Sequence, residues 1–306
     1  MKAPNRESLG MLLAFVGVVI FSGTVPATRL AVGGLDAYFV TAARAAMAGG
    51  IAAIVLAFLR RRWPDRSQLR QVALCALCFV AGFSGFIALG LRTVPASHGG
   101  VVLGIMPLMT SVAAAIILGE RPSMRFWLFA VLGAFVVIVY ALRDSGGVFD
   151  IGDVYLLAGA LTGAIGHVYS GKLSREMPGW EVISWVLVIS LPVMAPAALW
   201  LTPIEPTRVP VSAWAGLAYV TLFSMFIGFF AWNAGLAMAG VANASQVMLL
   251  QTFFTVGLSA IVNGEHIDPL TIVAAVAVVA AVSLGQRART ASPNPLARQE
   301  RRRRTE

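Results

Sequence analysis

Ten apolar runs of roughly 18–24 residues, parted only by short polar breaks, dominate this 306-residue chain. A helix rises about 1.5 Å per residue, so each run matches a hydrocarbon core about 30 Å thick. Inside lipid every backbone N–H and C=O must be bonded within its own segment, which leaves runs of this length only the helix. The expected spans are 9–31, 36–59, 69–91, 96–118, 124–142, 153–171, 180–201, 213–236, 241–262 and 268–285. Breaks such as "GGLD", "RRRWPDR", "RDSGGVFDIGD" and "TPIEPTRVP" carry turn residues or charge, and none could hold a soluble domain. Charged residues make up 12% of the chain, where a soluble domain has about 25%. The sequence therefore specifies an all-α integral membrane protein. Its first run is a full span without a small-residue cleavage site in a suitable context, so it is expected to act as an uncleaved targeting signal.

The placement of charge sets the expected orientation. With both termini cytoplasmic, 18 of the 23 basic residues face the cytoplasm, from Lys2 and Arg6 through Arg60–Arg62 to Arg301–Arg304. Arg29, Arg92, Arg143 and Arg208 face outward, and Arg44 lies within span two. Basic residues concentrate on the cytoplasmic side of membrane proteins, so the chain is expected to be a multi-pass protein of a bacterial inner membrane. The tail 286–306 is basic and low in complexity, and is expected to be disordered. Its arginines suit anionic lipid better than nucleic acid.

The chain also repeats itself. Residues 90–120 align without a gap on 235–265, with eight of 31 pairs identical, and both stretches end on Gly-Glu: Gly119-Glu120 and Gly264-Glu265. More weakly, "TRL" at 28–30 matches "GKL" at 171–173. Five spans per half is an odd number, so the second half enters the bilayer from the opposite side. The expected architecture is ten transmembrane helices as two inverted five-helix repeats, 9–143 and 153–285, flanked by a cytoplasmic 1–8 and the tail.

On these residues the chain is similar to the drug/metabolite transporter superfamily, and within it to the ten-helix EamA-type carriers, over roughly 9–285. The resemblance rests on "FSGTVPATRL" (21–30), Arg44 in "AARAAMAGG", "GIMP" (104–107) leading to Gly-Glu, and "LLQT" (249–252) leading to Gly-Glu. The chain departs from the family at Phe21 and Gly163, where Trp is usual, and at Gln251-Thr252, where Glu-Pro is common. The resemblance implies secondary transport, with amino-acid export as the first expectation.

All 14 Asp and Glu fall in loops, tails or helix ends, so no carboxylate is expected at mid-membrane. Such a group is the usual proton or sodium relay; its absence favours facilitated diffusion or exchange, with coupling through a histidine left open. Substrate contacts are sought at Ser22, Thr24, Ser84, His98, Thr110, His167, Trp232, Gln246 and Gln251, since buried hydroxyls, amides and imidazoles want partners. Packing or self-satisfied hydrogen bonds are the plain alternative for each. Pro26 and Pro107 each free a backbone carbonyl in mid-span and are read as hinge or site-lining positions, or else as packing kinks. Glu120 and Glu265 are read as gate or brace residues that hold a neighbouring helix end, against the alternative of solvated loop charges. Arg44 is read as a structural brace, with a substrate anchor as the other reading. Phe21, Phe86, Trp185 and Trp232 would suit an amphipathic solute, and Cys75 and Cys78 are expected to pack as small apolar groups.

The function expected is an exporter of a small neutral or zwitterionic metabolite working by alternating access. No basic cluster lies in the pathway to neutralise a phosphorylated solute. A passive channel or a carrier of lipid or phosphorylated metabolite is the alternative. An intramembrane enzyme ranks last, because the sequence has neither HExxH nor Gly-x-Ser-x-Gly nor a paired membrane aspartate. No cofactor or metal is expected. The expected partners are a small-molecule substrate and membrane lipids, with the chain a monomer or homodimer.

Overall fold

The computed structural model describes residues 6–119, 122–144, 150–239 and 247–290. Within them, nine helices are long and apolar enough to cross a membrane. Span one is Arg6–Ser22 continued by Thr24–Val32, span two Ala37–Phe58, span five Met124–Asp144, span six Ile151–Leu173, span seven Gly179–Trp200 and span ten Pro269–Thr290. Span three joins Arg66–Ala76 through a π-helical stretch, Leu77–Ser84, to Gly85–Gly90. Span eight is built the same way, from Val211–Tyr219 through a π-helical Val220–Ile227 to Gly228–Ala239. Span four breaks into Ala96–Leu103 and Met106–Leu118. The helix Gln251–Asn263 belongs to span nine, whose first residues, 241–246, lie outside the described set.

Helix starts follow ordinary capping chemistry. Asp36 accepts from the N–H groups of Tyr38 and Phe39, and Asp65 with Gln68 and Asp150 with Asp153 form reciprocal capping boxes. Span six thus begins where its first orphan donors find carboxylates.

The duplication is visible in backbone detail. Ile105 precedes the second half of span four, and Leu250, 145 positions on, precedes the helix of span nine. The two helices end on Gly119 (φ 68°, ψ 22°) and Gly264 (φ 66°, ψ 26°), both left-handed. That conformation costs an L-residue about 1–2 kcal/mol, which explains why the repeated phrase carries glycine before its glutamate. An added Cβ at either glycine meets no atom within 4 Å, so a substitution is felt through the torsion alone. Gly264→Ala should therefore lower stability by about 1–2 kcal/mol and Gly264→Asn by less, measured by thermal unfolding in detergent.

Packing pairs the halves as a two-fold axis in the membrane plane would. Span one lies along span eight and span six along span three, while spans two and seven, five and ten, and four and nine pair with each other. Glycines set the closest approaches: Gly10 and Gly17 against Met238, Ala239 and Trp232, and Gly235 against Ala14. On the other side, Gly159, Gly163 and Gly166 receive Ile87, Phe83 and Phe79.

Candidate functional site

The two prolines singled out in the sequence do weaken their spans, with the break falling three residues earlier in each case. Pro26 stands in the helix Thr24–Val32 and the turn is at Gly23; Pro107 stands at the start of Met106–Leu118 and the turn is at Gly104–Ile105. Proline has no N–H for the carbonyl four residues back, and its ring crowds that carbonyl. For Pro26 that carbonyl is Ser22, and the Thr255 hydroxyl of span nine donates to it at 3.1 Å. The Ser22 hydroxyl donates to the Val18 carbonyl at 2.7 Å and lies 3.3 Å from the Gln251 carbonyl. Asn263 Nδ2 donates to the Pro26 carbonyl at 3.3 Å. At Gly23, a Cβ would fall 2.3 Å from the Tyr219 hydroxyl, which donates to the Ile20 carbonyl. Thr24 completes the junction through a 2.8 Å hydrogen bond with Ser224 of span eight. The broken middle of span one is thus held by hydroxyls from spans eight and nine.

Spans four and nine cross where both are interrupted. A Cβ on Gly100 would meet Thr255, and one on Gly104 would meet Thr252. From the far end of span nine, Glu265 reaches back to span four, accepting from Ala96 N–H at 2.7 Å and Ser97 N–H at 2.8 Å. A carboxylate at a helix N-terminus satisfies orphan donors and complements the helix dipole. Beside it opens a polar cleft of about 560 Å³ lined by Arg29, Arg92, Pro95, Asn263 and Glu265. Arg29 donates to the Leu91 carbonyl on its wall. Glu120, the counterpart of Glu265, and Gln246 lie outside the described residues.

His98 lies apart from this crossing. It is 1% exposed, and its Nε2 sits 2.5 Å from Oδ1 of Asp153, which is 0% exposed. Tyr140 stacks on the imidazole at 5.0 Å, and its hydroxyl pairs with Thr271 at 3.1 Å. In the sequence Asp153 reads as a helix-end charge. It does begin span six, yet it is wholly enclosed, and its significance comes from a histidine 55 positions away that no local pattern in the sequence announces. Nearby, Thr93 donates to Asp150 at 2.6 Å. This bond, with the Gly152 N–H, holds the Asp150 carboxyl below its usual range. A depressed carboxyl stabilises the fold above its unfolded value of about 3.9 and stops doing so as pH falls through the folded value. The Thr93–Asp150 contact should accordingly loosen only in acid below about pH 4, and a Thr93→Ala variant should flatten that acid limb in a melting series.

The remaining candidates scatter. Ser84 is buried and bonds the Phe79 carbonyl five residues back, as its π-helical stretch dictates. Thr110 and Gln251 are half-buried, and Trp232 packs its backbone against Gly17. His167 lies edge-to-face on Phe79 at 5.0 Å. On span six it shares a face with Ala160, Gly163 and Ala164, all buried, yet His167 and Gly171 on that face are exposed. Lipid-side positions Val154 and Leu161 point the opposite way, so the face between the halves opens toward the end of the bundle that carries Lys172. Cys75 and Cys78 are buried free thiols. A second groove, about 280 Å³ between spans four, five and six, is lined only by apolar side chains such as Leu108, Met109, Ile116 and Leu161.

Arg44 is the outlier. It is 3% exposed, and among the described residues it makes no hydrogen bond or ion pair; its Nε is buried without a partner.

Apolar spans paired across a two-fold axis, with spans three and eight and spans four and nine interrupted at matching points, define a multi-pass membrane transporter of the inverted-repeat class. The chain matches the profile of the EamA-like transporter family twice, at residues 8–142 and 150–284, and belongs to that family. It is 40% identical over 283 residues, 92% of this chain and 99% of the other, to the uncharacterized transporter YdeK of Bacillus subtilis. It is 25% identical over 292 residues to a probable terminal-alkyne amino-acid exporter of Streptantibioticus cattleyicolor, covering 90% and 95% of the two chains. It is also 26% identical over 248 residues to the aromatic amino acid exporter YddG of Ancylobacter novellus, covering 77% and 82%.

Proposed function

We propose that this chain is a secondary carrier of the bacterial inner membrane that exports small zwitterionic metabolites, amino acids first among them, by alternating access. The observation that carries the reading is the crossing of spans four and nine. Both are interrupted at positions 145 apart, and the Thr255 hydroxyl of span nine satisfies the Ser22 carbonyl that Pro26 frees in span one. Discontinuous helices of this kind can rearrange around a central solute without leaving backbone groups unbonded in lipid. The amino-acid exporter names of two relatives support the substrate class.

In this reading both termini are cytoplasmic, the halves are the repeats 9–143 and 153–285, and the Glu265 end faces outward. There Glu265 latches span nine onto the start of span four, while the exposed face at His167 and Gly171 admits solute from the cytoplasm. Thr24, Ser22 and Gln251 border the solute path; His98, paired to Asp153, braces spans four and six.

Counterflow in proteoliposomes tests the mechanism. Preloading with unlabelled L-leucine or L-phenylalanine should accelerate uptake of the labelled amino acid several-fold, whereas a channel gives no acceleration. Linear, unaccelerated flux would discard the carrier mechanism.

A further inference from the structure

A guanidinium cannot be left unpaired in the middle of a membrane bundle without a large desolvation cost. Arg44 is such a group. It stands seven residues into span two, roughly 10 Å along the helix from its start at Ala37. The described carboxylates near the membrane are committed elsewhere: Asp36 to its helix N-terminus, Asp153 to His98, Glu181 to Arg61, and Glu265 to Ala96 and Ser97. Among the described residues no acceptor reaches Arg44, and its Nε is buried without a hydrogen-bond partner. One turn away, Thr41 lies 3.7 Å from where a Cβ on Gly85 of span three would stand. One turn below Gly85, Ala81 is exposed. Inward of the Thr41–Gly85 contact, Ala45 and Ala48 of span two share one buried core with Phe79 and Val80 of span three, and Arg44 is enclosed at that level.

We infer that Arg44 is the binding site for the carboxylate of the transported solute, an organic acid or the acid end of an amino acid. This inference rests on the carrier reading above and specifies the chemistry of its site. A planar guanidinium offers paired N–H donors matched to a carboxylate, and it holds its charge at any physiological pH. An anion arriving there would supply the missing counter-charge and gain the full strength of a charge-assisted bond in a dry setting. The Thr41 hydroxyl, which donates to the Ala37 carbonyl, keeps acceptor capacity one turn away for an ammonium or hydroxyl on the same solute.

The test compares wild type with Arg44→Met and Arg44→Lys in detergent and in proteoliposomes, using L-leucine, L-phenylalanine, their amides and 2-phenylethylamine as probes. A brace and an anchor predict opposite signs for the ligand-free protein. Removing an uncompensated buried charge should raise the melting temperature of Arg44→Met by at least about 2 °C, whereas removing a brace should lower it. In wild type the two amino acids should raise the melting temperature and the amides and amine should not. Arg44→Met should lose that response and at least tenfold of the exchange rate, with Arg44→Lys intermediate. An undiminished response in Arg44→Met, or a melting temperature below wild type, overturns the assignment. Counterflow of the amides or the amine without the amino acids would also overturn it while leaving the carrier mechanism standing; absence of counterflow with every probe would remove the mechanism and the anchor together.

Discussion

Asp153→Ala is expected to cost about 3–5 kcal/mol of stability, the largest loss of any single substitution considered for this chain. The carboxylate and His98 are both sealed from solvent, 2.5 Å apart, between the first turns of spans six and four. Truncating one partner leaves the other polar group buried, with no water able to enter and replace it. Asp153 also accepts from the Asp150 N–H, so the reciprocal cap at the start of span six is lost in the same step. Thermal or denaturant unfolding in detergent reads the loss. The His98→Ala, Asp153→Ala double variant should fall well short of the sum of the single losses, because residues in direct contact are non-additive. A single-variant loss below about 1 kcal/mol would mean that the pair is a bystander in its own core.

The second large effect is expected at Gly235, where an inserted Cβ would fall 2.5 Å from the Ala14 nitrogen and 2.8 Å from its Cα. The obstacle is backbone, so no rotamer change can relieve it; spans one and eight must part along their length. Gly235→Leu should cost about 3 kcal/mol, at the upper end of overpacking penalties, and sharply reduce the yield of folded protein. Gly50→Leu and Gly257→Leu provide the contrast, since a Cβ at either meets nothing within 4 Å. Those two should stay within about 0.5 kcal/mol of wild type. Equal losses at all three would show that glycine content as such, rather than the helix contact, sets stability.

Much of the architecture was legible because lipid is a strict solvent. Length, apolarity and the clustering of charge leave helices as the solution for runs such as 36–59, and the Gly-Glu endings expose the duplication in the sequence itself. The backbone explains that phrase through Gly119 and Gly264, whose left-handed torsions only glycine adopts without strain. The site was less legible. A mid-membrane census of carboxylates passed over Asp153, since hydropathy counts position along a helix and not enclosure by its neighbours. The prolines marked the interruptions, but the turns fall at Gly23 and Gly104, one helical turn upstream, where the freed carbonyl is crowded. Thr255, Ser224, Tyr219 and Asn263 meet span one only through tertiary contacts more than 190 residues apart in sequence, and no local spacing encodes such meetings.

Span one is divided at Gly23, yet its partner in the duplication, span six, runs unbroken from Ile151 to Leu173. Two faithful copies would make a carrier whose inside-open and outside-open forms were mirror images of equal energy, an impartial revolving door. Under the alternating access proposed above, a jointed member on one side and a stiff one on the other removes that degeneracy and gives the empty protein a preferred resting side. Direction of net flow still belongs to the solute gradient, but the half-saturating concentrations measured from the two sides of the membrane should differ.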